Sequence, residues 1–193
     1  MKKEIIIISG PNGSGKTTFA RRIFPSFVKE ELFLNVDIIA QALSPDHNGK
    51  SDLASGKIFL EKLDKCLEKD QSFIIETTLS GKFLLKRIAD MQYKGFSVTL
   101  IFLWISSVEL CDFRVKSRVA AGGHNIPYTI IERRYKRGLL LLPYFLEKVD
   151  SFHIYSANEY PQLITSKITQ QSPVIHNEKL FSVFNQSIHG DTL

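Results

Sequence analysis

Ile5-Ile6-Ile7-Ile8-Ser9-Gly10-Pro11-Asn12-Gly13-Ser14-Gly15-Lys16-Thr17-Thr18 is the stretch whose reading decides the fold. Four isoleucines in a row make a strand that is apolar on both faces. Gly10 to Thr17 then follow the spacing glycine, four residues, Gly-Lys-Thr, the pattern of a P-loop. Glycines at 10, 13 and 15 let the backbone turn tightly and approach an anion without Cβ clashes. Successive N–H groups then converge on one anion hole, and the start of the following helix adds partial positive charge. Lys16 is placed to reach the β- and γ-phosphates of a nucleotide, and the Thr17 hydroxyl to ligate Mg²⁺. Pro11, Asn12, Ser14 and Thr18 complete the predicted cradle for ATP or GTP. A glycine turn that binds nothing leaves Lys16-Thr17 at this place unexplained.

Outward from the loop, short apolar runs alternate with helical patterns. The runs predict strands over 4–9, 32–36, 72–75, 98–104 and 152–155. Their continuous apolar character fits a parallel sheet covered by helices on both faces. After the helix opening at Gly15-Lys16-Thr17, periodicity predicts helices over 52–69, burying Phe59, Leu63 and Leu67, and over 83–93, burying Leu84, Ile88 and Met91 and stopping at Gly95. Two more follow: 108–121, ending at Gly122-Gly123, and 127–142, starting at Pro127 and ending before Pro143. The stretch 180–184 reads as a short closing helix.

Ligands of an open parallel sheet bind beyond the C-terminal ends of its strands. Two acids fall there by strand polarity: Asp37 after the second strand and Glu76 after the third. Asp37 suits the base that orients and deprotonates an attacking hydroxyl; it equally suits the N-cap of a helix over 38–43. Glu76 is placed to assist Mg²⁺ or to position substrate, or else is a buried carboxylate paired with a base. Thr77, Thr78 and Ser80 make a hydroxyl-rich turn that serves either a polar substrate or its own backbone. The run 98–105 ends in Ser106-Ser107 rather than in Asp, which argues against a motor-type ATPase and leaves Thr17 and Glu76 to manage the metal.

The net charge is +5, and residues 112–148 alone carry a net +5, so the positive field belongs to one segment. There Arg114 and Arg118 stand one helical turn apart, as do Arg133 and Arg137, with Arg134 beside them. Joined by Gly122-Gly123-His124-Asn125, the two helices read as a hairpin lid over 108–142 whose arginines stabilise a transferring phosphoryl group. A solvated basic hairpin is the alternative, and His124 is either a site contact or an exposed turn residue.

The bulk properties set limits. A chain of 193 residues, 44% hydrophobic and 23% charged, fits one soluble domain over 1–193, with an extension richer in Ser, Gln and Asn over 160–193. The opening apolar run is too short for a signal peptide, and other runs are too short to span a bilayer, so a cytoplasmic location without membrane contact is expected. Cys66 and Cys111 have neither disulfide nor metal-ligand spacing and read as core thiols. An enzyme acting on nucleic-acid ends would use the basic segment against phosphates. The chain shows no paired aromatic platform for stacking bases, which makes nucleic acid the less favoured partner. A nucleotide-binding switch with little turnover is the third alternative.

An ordered set of stretches carries a family resemblance: Gly10 to Thr18, Asn35-Val36-Asp37, Glu76-Thr77-Thr78-Leu79-Ser80-Gly81, Phe102-Leu103-Trp104, Arg118-Val119 through Gly122-Gly123-His124, Pro127, and Arg133-Arg134-Tyr135. Over roughly 4–158 the chain resembles the zeta-toxin family of P-loop kinases, in particular its short single-domain members. The resemblance implies a nucleotide-kinase-like three-layer α/β sandwich with a mainly parallel sheet and a helical lid, using ATP and Mg²⁺. It implies phosphorylation of a small-molecule hydroxyl, with UDP-N-acetylglucosamine as the acceptor of characterised members, and it raises an antitoxin protein as a partner. Asp37 would then be the base, Lys16 and Thr17 would serve ATP and Mg²⁺, Glu76 would shape the substrate site, and Arg118 with Arg133 or Arg134 would clamp phosphates. Where short members often read Asp-Asn-Ser after the last core strand, near the expected adenine site, this chain reads Ser156-Ala157-Asn158.

Overall fold

The four isoleucines form β1 (Glu4–Ser9), and their alternation sets the two faces of the sheet. Ile5 and Ile7 point into one core, Ile6 and Ile8 into the other. A computed structural model describes residues 3–29, 32–35, 50–123 and 125–189, leaving aside the side chains of 28–29 and 50–56. The remaining strands are β2 (Phe33–Asn35), β3 (Phe73–Thr77), β4 (Ser97–Trp104), β5 (Ser151–Ser156), β6 (Gln162–Lys167) and β7 (Val174–Ile175). They form one sheet in the order β2-β3-β1-β4-β5-β6-β7. The first five run parallel, and β6 and β7 are antiparallel additions.

The helices are α1 (Lys16–Ile23), α2 (Pro25–Lys29), α3 (Lys50–Glu68), α4 (Phe83–Tyr93), α5 (Val108–Ala120), α6 (Tyr128–Lys148) and α7 (Glu178–His189). On the Ile5/Ile7 face lie Phe59, Leu63 and Leu67 of α3, Leu84, Ile88 and Met91 of α4, and Leu142 and Phe145 of α6. These are the side chains that helical periodicity selected for α3 and α4. Each buried aliphatic or aromatic side chain contributes about 1.5–3 kcal/mol. On the Ile6/Ile8 face lie Ala20 of α1, Cys111 and Val115 of α5, and Ile131 of α6. The result is an α/β fold with a mostly parallel central sheet between helical layers.

Several boundaries differ from the sequence expectation, each for a physical reason. β3 continues past Ile75, so Glu76 lies within the strand, paired in register with Ile8 and Asn35. Helix α6 does not stop before Pro143 but runs through it to Lys148. An interior proline removes one helical hydrogen bond and costs about 3 kcal/mol or more. Leu141, Leu142 and Phe145, all buried around that turn, offset the cost. The extension after 160 adds β6, β7 and α7, of which only a helix over 180–184 was expected. Helix α7 is longer because the Asn177 side chain caps it, accepting from the Leu180 N–H at 3.0 Å. It docks through Phe184, edge-on to Trp104 with ring centroids 5.8 Å apart.

Helix α4 ends as its glycine predicts, with the Gly95 N–H donating to the Gln92 carbonyl and the Phe96 N–H to that of Met91. Helix α5 closes in the same Schellman arrangement: Gly122 donates to Val119 and Gly123 to Arg118. No helix among the described residues is long and apolar enough to cross a membrane. The helix expected over 38–43 lies outside the described residues.

Candidate functional site

Between β1 and α1 the chain makes the loop 10–15 at the C-terminal edge of the sheet's centre. Gly10 has φ +140°, and a Cβ there would lie 2.4 Å from the Leu103 carbonyl oxygen. Gly13 has φ +81°, and its Cβ would lie 2.7 Å from the Cys111 carbonyl. Only glycine fits either place, so the loop is pressed against β4 on one side and α5 on the other.

Helix α1 opens without a side-chain cap. Its first closed hydrogen bond runs from the Phe19 N–H to the Gly15 carbonyl. The amides of Lys16, Thr17 and Thr18 therefore have no intrahelical partner. Inside the loop, Asn12 Oδ1 and Ser14 Oγ are buried without a hydrogen-bond partner among the described residues. Buried polar atoms are ordinarily paired. Two such atoms beside a row of open amides suit an anion that supplies the missing partners, as a nucleotide phosphate does. Lys16 is also buried, and its ammonium donates to the Pro11 carbonyl at 3.0 Å.

Facing the loop, the Thr17 hydroxyl lies 2.9 Å from both carboxylate oxygens of Glu76. The pairing follows from sheet order. β3 is the direct neighbour of β1, and Glu76 sits level with Ile8, one residue short of the strand end. A hydroxyl and a carboxylate held together beside a phosphate cradle form an oxygen donor set suited to Mg²⁺.

The following turn serves itself. Thr77 Oγ1 accepts from the Leu79 N–H at 3.2 Å, and the Thr78 and Ser80 hydroxyls pair at 2.9 Å. Leu79 adopts a left-handed backbone (φ +57°) with its side chain buried. Thr77 and Thr78 are themselves buried. The Thr77 hydroxyl is thus engaged with the turn's own backbone, and those of Thr78 and Ser80 with each other.

The basic residues separate into distinct environments. Arg114 donates to the Ala157 and Asn158 carbonyls at 2.7 and 2.5 Å, tying α5 to the turn after β5. Asn158 Oδ1 in turn accepts the Ser106 N–H at 2.9 Å. Arg114 thus acts as a structural clamp, a use its helical spacing with Arg118 does not disclose. Arg118 is exposed, and its carbonyl is the one that the Gly123 turn closes on. Arg133 and Arg137 are exposed, whereas Arg134 is half-buried, on the side of α6 that carries Ile131 and Gly138. Asp37 and His124 lie outside the described residues.

Cys111 is fully buried beside the loop. Burial pushes its thiol up to about 12, although Lys16 and Arg114 pull the other way. Burial likewise raises the Cys66 thiol. Both stay protonated and serve as core residues. Two contributors to which the sequence reading gave no role are Tyr135, whose hydroxyl donates to the Ile105 carbonyl at 3.0 Å, and Gly138, where a Cβ would meet the Thr78 carbonyl at 2.9 Å.

Sheet order, glycine loop and flanking helix together define a P-loop kinase-like protein. A family model described as an AAA domain matches residues 5–136, and the chain belongs to that family. An uncharacterized protein of Haemophilus influenzae is 31% identical over 137 residues, which are 70% of this chain and 94% of the relative. Among solved structures, a chain of the AvrRxo1-ORF1:-ORF2 complex with ATP superposes with TM-score 0.74 at 14% identity, over 96% of this chain; the chain spans 64% of that protein's length. A chain of the PezAT chromosomal toxin–antitoxin system of Streptococcus pneumoniae superposes with TM-score 0.62 at 17% identity, over all of this chain and 81% of its own. At these identities the likeness is one of fold, the P-loop kinase-like α/β fold.

Proposed function

We propose that this protein is an ATP-dependent phosphotransferase that moves the γ-phosphoryl group to a hydroxyl of a small molecule, with a UDP-activated amino sugar as the acceptor. One observation carries the reading: the Thr17–Glu76 pair faces a glycine loop whose buried Asn12 and Ser14 polar atoms await partners. The AvrRxo1-ORF1:-ORF2 structure, obtained with ATP, supports ATP as the donor.

In this reading the open amides of Lys16, Thr17 and Thr18 hold the phosphate chain, and the Lys16 ammonium turns from the Pro11 carbonyl to the β- and γ-phosphates. Thr17 and Glu76 would hold Mg²⁺, which would supply charge neutralisation to the phosphates. Asp37 takes the proton of the attacking hydroxyl. The acceptor oxygen–phosphorus bond forms as the bond from the γ-phosphorus to the β-bridging oxygen breaks, and ADP leaves. Arg134, with Arg118 and Arg133, offsets the negative charge of the moving group. Because the AvrRxo1-ORF1 neighbour stands in complex with ORF2 and the PezAT neighbour belongs to a toxin–antitoxin system, an antitoxin-like protein is proposed as the partner.

The test is transfer of label from γ-labelled ATP with Mg²⁺ to a panel of UDP-sugars, beside a short 5′-hydroxyl oligonucleotide and an Asp37→Ala control. Label in a UDP-sugar, lost in Asp37→Ala, is the expected result. Label in the oligonucleotide alone, or in no acceptor, contradicts the assignment.

A further inference from the structure

Helix α6 begins on one face of the sheet and ends on the other. Ile131 packs with Cys111 and Val115 in the core of Ile6 and Ile8, whereas Leu142 and Phe145 pack in the core of Ile5 and Ile7. One helix joins both faces only by passing over an edge of the sheet. Two contacts show that it crosses the strands' C-terminal edge. The Tyr135 hydroxyl donates to the carbonyl of Ile105, one residue past β4, at 3.0 Å. Gly138 rests on the carbonyl of Thr78, one residue past β3, closely enough that a Cβ would stand 2.9 Å from that oxygen. β3 and β4 flank β1. The stretch from Tyr135 to Gly138 therefore bridges the end of β1, where the glycine loop begins.

We propose that Gly138 and Tyr135 are positioning residues that hold α6 as a fixed bridge over the phosphate loop, so that Arg134 is in place before nucleotide arrives. The proposal rests on the kinase reading above for the role of Arg134, and on packing alone for the bridge.

Neither footing yields easily. The Thr78 carbonyl belongs to a turn fixed by the buried, left-handed Leu79 and by the bond from its N–H to Thr77 Oγ1. That turn follows Glu76 by two residues, so a shift of α6 against it would also move Arg134 relative to the Thr17–Glu76 pair. On the far side Leu139, Leu141 and Leu142 are buried, which ties the helix down beyond the crossing. A hinged lid needs an arginine helix free of the core, and this one is packed into both cores. A methyl group at 138 must lift the helix or shift the turn, and misplacement by about 1 Å costs roughly 10²-fold in rate.

The experiment uses the full chain and phosphoryl transfer from MgATP to water. Gly138→Ala is expected to slow turnover at least about tenfold while MgATP affinity stays within about threefold. Combined with Arg134→Ala, it is expected to be no slower than the slower single variant, because both remove the same interaction. Losses that multiply would mean that Gly138 acts on stability alone and would overturn the proposal. Should Gly138→Ala fail to fold, Tyr135→Phe, which deletes only the hydroxyl, replaces it in the same cycle. A second readout needs no turnover. Amide exchange over residues 131–142 is expected to be equally slow with and without MgATP. A marked slowing on MgATP addition would contradict a preformed bridge. A protein that labels no acceptor in the panel above yet shows unchanged exchange would sink the kinase reading and leave the bridge standing.

Discussion

The Thr17 hydroxyl sits 2.9 Å from both oxygens of Glu76, joining the first turn of α1 to the end of β3. One hydroxyl proton lies within reach of two acceptors, so the contact holds the Glu76 carboxylate beside the first turn of α1. Replacing Glu76 with Gln keeps the shape and removes the charge. The Mg²⁺ concentration for half-maximal turnover is expected to rise at least about tenfold, in line with the worth of one charged ligand in a hydrogen-bonded site. A magnesium titration checks this; an unchanged midpoint would return Glu76 to a purely structural role.

Gly10 and Gly15 both have positive φ but face different surroundings. A Cβ at 10 meets the Leu103 carbonyl at 2.4 Å, whereas nothing lies within 4 Å of one at 15. Gly10→Ala adds a backbone collision to dihedral strain and is expected to cost more than about 2 kcal/mol, against about 1–2 kcal/mol for Gly15→Ala. Urea unfolding of the two variants gives the order directly. Equal losses would mean that β4 does not confine the loop.

His153 on β5 is half-buried. Loss of solvation holds its imidazole below the ordinary histidine value, His176 adds to that effect and Glu4 opposes it. The unfolded chain therefore binds a proton more readily than the folded one. The stabilising contribution is present above the ordinary value near 6.5 and is lost as pH falls through the lowered folded value. The melting temperature is expected to drop between pH 7.5 and pH 5.5, with a shallower drop in His153→Gln. Parallel curves for the two proteins would refute the assignment.

With its thiol pushed up to about 12 and its side chain fully buried, Cys111 is expected to resist iodoacetamide at pH 8 until the protein unfolds. Mass spectrometry of the alkylated protein, native and in denaturant, decides it. Ready alkylation of native Cys111 would show that the contact between α5 and the loop opens.

What the sequence disclosed follows from where local pattern and tertiary packing agree. Ile5 to Ile8, the glycine loop and the apolar faces of α3 and α4 are legible because a strand buried on both faces and an amphipathic helix each leave a period in the chain. Glu76 was legible as an edge carboxylate, although not as a residue within β3, since strand length is set by pairing with β1. Beyond Pro143 local propensity misleads, because Leu142 and Phe145 hold the helix through a residue that would end it in isolation. Strands β6 and β7 were missed: one is mixed with polar residues, the other has only two residues, and both pair at the sheet's margin. Arg114 spaces like a phosphate ligand but spends its guanidinium on two backbone carbonyls. That difference is invisible until the turn after β5 is placed beside it.

The most direct test of the central claim is calorimetric titration of MgATP into the protein and into Lys16→Ala. The cradle assigned to residues 10–18 predicts one saturable site in the parent protein and none in the variant, with the variant's far-ultraviolet circular dichroism unchanged. No binding by the parent, or equal binding by both, would contradict it.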